Sequence, residues 1–542
     1  VNSISVSALW ARTLPLALPL LLCVLLLSAL SVWEPYWQTN DDVGMAMRVE
    51  GFGSIAVPSR NLIFSNALWG AFIQCIPSVR GLLGYSLVTY LVLLAVALVA
   101  CHFLIRRGMG PWAAVVAVFS VFFYPCVFPQ FTVVSGLAGM AAVLALLDYR
   151  ERRGNGELFL CFILALVSYL IRWNEFLFIV AVSIPLWLSL RILRDRAFLL
   201  LFLAITAASL AAIAFDRASY SDVSWAKYNA FNAVRVKLTD YGLADYLKTL
   251  PLHSSSELSV NDFDLLRNWF FVDDNLTSSR TMEALRQAVP GELSAPRSVG
   301  RGIESIRSAW QDPRAFPLAL AGLVIGALLG SLRVWLCLFL FYAGLFYTGY
   351  IGRPGVFWAY YPALSACLLW MIAQASTLRG TRRWLAYIAL CSLAASTFWQ
   401  TVKQHQQIDG MVQDIRRDVK ELGTDVIVTW GGYFPYEYVY SPFDRNLHNA
   451  GFRFYSLSSG TYAPTSLAYR LESEKPGWFV QRLLSSQGLD FSGYADRPIP
   501  AQGEYLRNYC MQRHQGELEL KVVKNLGSIV VVNARCITGN KG

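Results

Sequence analysis

Charge is what this chain has least of. Of its 542 residues only 15% are Asp, Glu, Lys or Arg, against about 25% in a typical soluble domain. The hydrophobic share is 55% and the aromatic share 14%. That balance excludes an ordinary soluble enzyme and predicts a mainly α, polytopic membrane protein. Histidine is scarce too: His102, His253, His405, His448 and His514 stand apart, at no metal-site spacing. There is no Walker loop, no GxGxxG, no HExxH and no CxxC pair, so no motif points to ATP hydrolysis, redox chemistry or zinc. The inverted repeat and broken helices of a secondary transporter are missing as well. Of ten cysteines, eight lie in or near apolar runs, where a small apolar side chain suffices. Cys510 and Cys536 do not. An oxidising compartment would let them pair, but spacing alone leaves the disulfide and two free thiols both open.

What is present is a series of apolar runs. They predict about eleven spans, near 14–33, 82–104, 111–128, 132–148, 157–172, 175–191, 197–215, 315–331, 333–351, 359–376 and 384–401. The first is about 20 residues long, longer than a signal h-region. Trp33, Pro35, Tyr36 and Trp37 follow it in place of small residues, so it reads as a retained helix with an aromatic belt. Val1 reads as a literally translated alternative start codon, which suggests a bacterial gene.

The net charge of +10 is explained by placement. With a cytoplasmic N-terminus, alternate connections hold Arg12; Arg106 and Arg107; Arg150, Arg152 and Arg153; Arg191, Arg194 and Arg196; Arg333; and Arg379, Arg382 and Arg383. This is the positive-inside pattern, not a nucleic-acid surface. It divides the chain into a transmembrane part, 1–401, and a C-terminal extracytoplasmic part, 402–542. Outer loops at 34–81 and 216–314 fall on the same side, and loops this long are usually functional.

In the first loop "DDVGMAMRVEGFG" and "NLIFSNALWGAFIQCI" have apolar residues at helical spacing, which suits short helices along the membrane interface, separated at Pro58 and Ser59. The C-terminal part reads as a small α/β domain. "TDVIVTWGG" is a buried strand ending in a glycine turn, and "GELELKVVKN" with "SIVVVNARCI" is a hairpin turning at Asn525–Gly527.

The chemistry-bearing candidates lie at the outer edge. Asp41 and Asp42 follow the first span. A carboxylate there can accept a proton from an attacking hydroxyl or hold a divalent cation beside a phosphate. The plain alternative is a helix cap, for which Asp42 is the better placed. Arg172 ends one span and Glu175 opens the next: either a snorkelling pair in a tight hairpin or a guanidinium for a lipid phosphate. Arg353, in "GRPGVFWAYYPAL", is a lone arginine among aromatics that include Tyr360. It suggests an anion or sugar contact, although an aromatic belt accounts for the tyrosines. Lys227, Arg235 and Asp240 recur at roughly helical spacing in the long loop. Asn261, Asp262, Asp273 and Asp274 form a second acidic group there, read as solvated.

Taken together, "TNDDVGMAMRVEGFG…PSRNLIFSNALWG", "IRWNEF", "KYNAFNAVRVKLTDYG", "NDFDLLRNWFFVDD" and "GRPGVFWAYYPAL" are similar to landmarks of a bacterial group of membrane proteins with an N-D-D signal. The architecture resembles the GT-C superfamily of integral membrane glycosyltransferases. The resemblance implies a GT-C-like fold in the cytoplasmic membrane and an inverting sugar transfer from a polyprenyl-phosphate donor to a glycan or lipid acceptor on the outer side. It implies that Asp41 serves as base or metal ligand, with Asp42 beside it and Mg2+ or Mn2+ as the cation. Side and charge suggest Arg172, Glu175, Arg353, Tyr360, Lys227 and Arg235 for the donor and its phosphate. A surface-polysaccharide polymerase or ligase, or a non-catalytic flippase or scaffold for envelope glycans, are the other readings.

Overall fold

A computed structural model describes residues 6–249, 258–277, 281, 297–353, 355–444, 447–496 and 500–538. In chain order the principal helices are α1 (Val6–Val32), α2 (Asn40–Glu50), α3 (Ala67–Gln74), α4 (Gly84–Arg106), α5 (Pro111–Val127), α6 (Phe131–Arg152), α7 (Asn155–Trp187), α8 (Leu190–Leu193), α9 (Arg196–Ser219), α10 (Val223–Asp240), α11 (Leu243–Lys248), α12 (Val260–Arg267), α13 (Asp274–Thr277), α14 (Val299–Gln311), α15 (Phe316–Leu329), α16 (Leu332–Tyr350), α17 (Phe357–Ala375) and α18 (Gly380–Val419).

By length and composition alone, six of these among the described residues, α4, α6, α7, α9, α16 and α18, could cross a membrane, with α7 counted once although it folds back at Arg172. A seventh crossing exists if α14 and α15, bent by 92° at a short break, act as one. This corrects the expected eleven. Helices do form at the apolar runs, but several fall short of a full crossing. α5 spans only Pro111–Val127, and α15 has 14 residues. In α17, Trp358, Tyr360, Tyr361 and Pro362 in the first turns dilute the apolar run.

The runs 157–172 and 175–191 form α7 with no loop between them, broken only at Arg172 (φ −156°, ψ 93°). The chain doubles back at that break. Arg150, near the end of α6, donates to the Leu186 carbonyl, and Gly139 of α6 faces both Ser168 and Ile179. Both arms therefore lie along α6, which is buried from Phe131 to Tyr149 and forms the axis of the bundle. The small residues Gly136, Gly139, Ala138, Ala141 and Ala142 let the neighbours approach it closely.

α18, 40 residues long, runs roughly 60 Å and continues past residue 401 into the C-terminal part. The segment after α1 is fastened to that extension. Tyr36 donates to Asp409 at 2.7 Å, and Arg416 pairs with Glu34 at 2.8 Å.

The C-terminal part carries a five-stranded sheet of β1 (Val426–Trp430), β2 (Arg453–Leu457), β3 (Leu489–Tyr494), β4 (Gly516–Asn525) and β5 (Ile529–Thr538), in the order β2-β1-β3-β5-β4. β1 is parallel to β2 and β3, and β4–β5 is the hairpin the sequence predicts. A disulfide joins Cys510 to Cys536. The long loop contributes to the same core: Phe263, Phe270 and Phe271 pack with Trp430, Phe479, Phe491 and Tyr509.

Both helices expected in the first loop are present. In α2, Val43, Met45, Ala46, Met47 and Val49 are all buried, because both the bundle and the C-terminal part pack against it. Residues 53–57 bind that part through the backbone: Phe454 N–H to Gly53 O at 3.1 Å, Ala56 N–H to Thr465 O at 2.8 Å and Leu467 N–H to Ser54 O at 2.9 Å.

Candidate active site

The site is built on α2. The helix starts after Thr39, whose backbone is extended (φ −143°, ψ 155°), with Asp41 and Asp42 in its first turn. Carboxylates there complement the partial positive charge of the helix end. Gly51 ends it in the left-handed region (φ 81°) and returns its N–H to the Met47 carbonyl, a conformation in which glycine is unstrained.

Neighbours on a helix point about 100° apart, and that rotation separates the two aspartates. Asp42 is completely buried. It accepts from the Tyr85 hydroxyl at 2.9 Å, the Phe131 N–H at 3.1 Å and the Thr39 hydroxyl at 3.2 Å. The cap expected for its own helix is instead given to the first N–H of α6, so Asp42 ties three elements together. Burial drives its carboxyl pKa up against these donors.

Asp41 is half-buried and lines a cavity of about 100 Å3 enclosed by α2, residues 54–64 and the loops that follow β1 and β2. Among the described residues its side chain makes no hydrogen bond or ion pair. Burial pushes its pKa up to about 6. The Arg172 guanidinium is the strongest force against that rise, Asp240 adds to it, and Arg235 and Arg353 oppose it more weakly.

Arg172, Asp240, Arg235 and Arg353, from distant parts of the sequence, thus bear on Asp41. Arg172 sits at the break in α7, where Nη1 donates to the Phe64 carbonyl at 2.9 Å and the guanidinium lies 5.6 Å from the Phe131 ring centre. Glu175, one turn on, is 4% exposed, and its Oε1 has no hydrogen-bond partner among the described residues. Arg235 is buried, held by Asn232 at 3.0 Å and Asp240 at 3.3 Å, and lies 5.0 Å from the Trp269 ring centre. Arg353 is half-buried in the connection between α16 and α17.

Lys227 and Tyr360 are not brought to this group. Lys227 is exposed; eight residues from Arg235 on the same helix, it points about 80° away from it. Tyr360 donates to Asp312 at 2.8 Å. Asp312 is paired with Arg314 at 2.6 Å, and Arg314 lies 3.7 Å from the Phe357 ring centre and donates to the Tyr124 hydroxyl at 3.1 Å. This second polar cluster, at the bend between α14 and α15, has no sequence signal beyond charges beside an apolar run.

Arg48 was also missed, though its spacing from Asp41 was visible: i and i+7 share a helix face.

Compared with models of known protein families and with curated proteins, the chain matches none. The site therefore rests on its own geometry.

Among the described residues no three His, Cys, Asp or Glu side chains are grouped so as to hold a metal ion. Asp42's oxygens are committed to three donors, so a cation at the cavity would rest on Asp41 and on the substrate. A larger cavity, about 560 Å3, lies among Arg107, Arg150, Arg153, Arg191 and Arg333, close to the far end of α6 and roughly 30 Å from Phe131. It contains none of the Asp41 group. Its arginines are those of the positive-inside pattern.

Proposed function

We propose that the protein is an inverting membrane glycosyltransferase. It moves a sugar from a polyprenyl-phosphate donor to a glycan or lipid acceptor on the outer side of the cytoplasmic membrane. The observation that carries this reading is the setting of Asp41: open to a cavity, without a hydrogen bond or ion pair among the described residues, and under the charges of Arg172, Arg235 and Arg353.

In the proposed step the acceptor hydroxyl oxygen attacks the anomeric carbon and its proton passes to an Asp41 carboxylate oxygen. The bond from that carbon to the donor phosphate oxygen breaks, and its electron pair leaves with the phosphate. Arginines near the reacting centre stabilise the charge that develops there. Asp42 holds the turn that aims Asp41. Mg2+ or Mn2+ on Asp41 would add charge stabilisation, and no step is assigned to it.

The outer location is supported by the arginine-rich connections at the opposite end of the bundle and by the Cys510–Cys536 disulfide, since such bonds persist in oxidising compartments. A lipid-carried donor follows from that location, because nucleotide sugars are made in the cytoplasm.

The test is Asp41→Asn, assayed for sugar transfer in membranes where its insertion is verified. Loss of a general base should lower the rate roughly 10²–10⁴-fold. A wild-type rate would remove Asp41 from this role.

A further inference from the structure

Near Asp41 lies a buried positive charge that the transfer step does not use. Arg48 is 6% exposed and makes no ion pair among the described residues. Its guanidinium donates to the Thr465 hydroxyl at 2.8 Å, and the ionisable groups that bear on it are Tyr228 and Tyr220, not a carboxylate. Keeping a guanidinium out of water without a counter-charge is costly. A site that retains one is suited to an anion that arrives from outside.

The surroundings fit such an anion. Arg48 follows Asp41 by seven residues, so the two share a face of α2 about 10.5 Å apart along its axis. Gly44 lies between them, and a Cβ there would meet nothing within 4 Å; the cavity floor is open at that point. The roof consists of the end of β2 at Ser456 and the loops beyond the carboxyl ends of the parallel strands β1 and β2, at Gly431 and at Ser458–Gly460. Open sheets with parallel strands bind ligands beyond those ends. The second loop is rigid: Gly460 N–H donates to Ser458 Oγ at 3.2 Å, Ser458 N–H to Thr461 Oγ1 at 2.9 Å, and the Tyr228 hydroxyl to Ser459 O at 3.0 Å. A Cβ at residue 460 would lie 3.0 Å from Arg48 Nη2, so glycine there keeps the guanidinium unobstructed.

We propose that Arg48 and the Ser458–Gly460 loop form a phosphate subsite, shared between α2 and the C-terminal sheet, that takes the phosphate group of the lipid donor. This rests on the transferase reading for the identity of the ligand. An in-line displacement needs base and leaving phosphate on opposite sides of the anomeric carbon, and two helical turns between Asp41 and Arg48 leave room for one sugar ring. The C-terminal part then completes the site.

The test uses the full chain in nanodiscs and calorimetric binding of farnesyl phosphate, with inorganic phosphate as a second probe. Wild type should bind farnesyl phosphate, and inorganic phosphate should displace it. Arg48→Gln should weaken binding at least about tenfold, the loss of one charge-assisted contact, and Gly44→Leu, which fills the cavity floor between Asp41 and Arg48, should weaken it by as much. Farnesyl phosphate binding that inorganic phosphate does not displace would place recognition in the lipid tail and overturn the proposal. So would wild-type affinity in Arg48→Gln of unchanged melting temperature, or a wild type that binds neither probe. If Arg48→Gln does not fold, Gly44→Leu decides alone, and undiminished affinity in it overturns the subsite. Should Asp41→Asn transfer sugar at full rate while the Arg48 and Gly44 variants lose binding, the transferase assignment fails and the phosphate site stands.

Discussion

A carboxylate with the ordinary pKa of 3.8 is a weak proton acceptor at neutral pH; one at about 6 is stronger and still mostly ionised there. The acid limb of kcat/KM against pH should therefore turn near pH 6. Arg172→Met removes the main attraction on Asp41 and should move that limb to higher pH; Asp240→Asn removes a repulsion and should move it lower. Shifts in the same direction, or none, would exclude this electrostatic arrangement. The stability sign is opposite to that of a salt-bridged aspartate. The folded pKa lies above the unfolded one, so the folded state binds the extra proton between about pH 4 and 6, and the ionised group disfavours folding above that window. Asp41→Asn should accordingly melt no lower than wild type at pH 7.5 while losing activity. The adjacent pair was legible in the sequence, and so was the divergence of the two side chains. That Asp42 would be taken by Tyr85 and Phe131 was not, because both partners come from other helices.

Among the elements, α2 and α7 show where periodicity informs and where it misleads. Apolar residues at helical spacing identified α2, and two apolar runs identified the arms of α7. Spacing could not say that the C-terminal part would cover α2, since a buried helix and one lying on a membrane share an amphipathic pattern. It marked Arg172 as the border of two runs, and there the chain does fold back on itself. The border also carries the charge that bears most on Asp41. The hairpin β4–β5 was readable from its alternation and turn. The disulfide that joins β5 to the helix Pro500–His514 is a separable element. Cys510→Ser, or reduction of the wild type, should destabilise the C-terminal part by about 2–4 kcal/mol, seen as a lower melting temperature for its sheet. An unchanged melting curve under reductant would show that the bond contributes nothing to the fold.

For the whole molecule the question is which side each end of the bundle faces. The arginine-rich connections lie at one end of α6, and Asp41, the cavity and the C-terminal sheet lie at the other. If the positive-inside pattern holds, a reporter active only outside the cytoplasm should be active when fused after Thr538 and silent when inserted after Arg153. The reverse result would place the site on the nucleotide-rich side and remove the argument for a lipid-linked donor. α18 makes this a property of the whole chain. It runs unbroken from the bundle into the C-terminal part, and Tyr36 and Glu34 fasten the start of the first loop to it.

Local pattern determined a good deal on its own. Low charge and long apolar runs set a helical membrane protein, arginine placement set a polarity, and alternation set a sheet near the C-terminus. These follow from the solvent each short segment prefers, which its own composition carries. The bearing of the Arg172, Arg235 and Arg353 charges on Asp41 and the covering of α2 were decided only by tertiary packing. Each depends on contacts between segments hundreds of residues apart, and neither composition nor spacing within a segment records which distant surface will close over it.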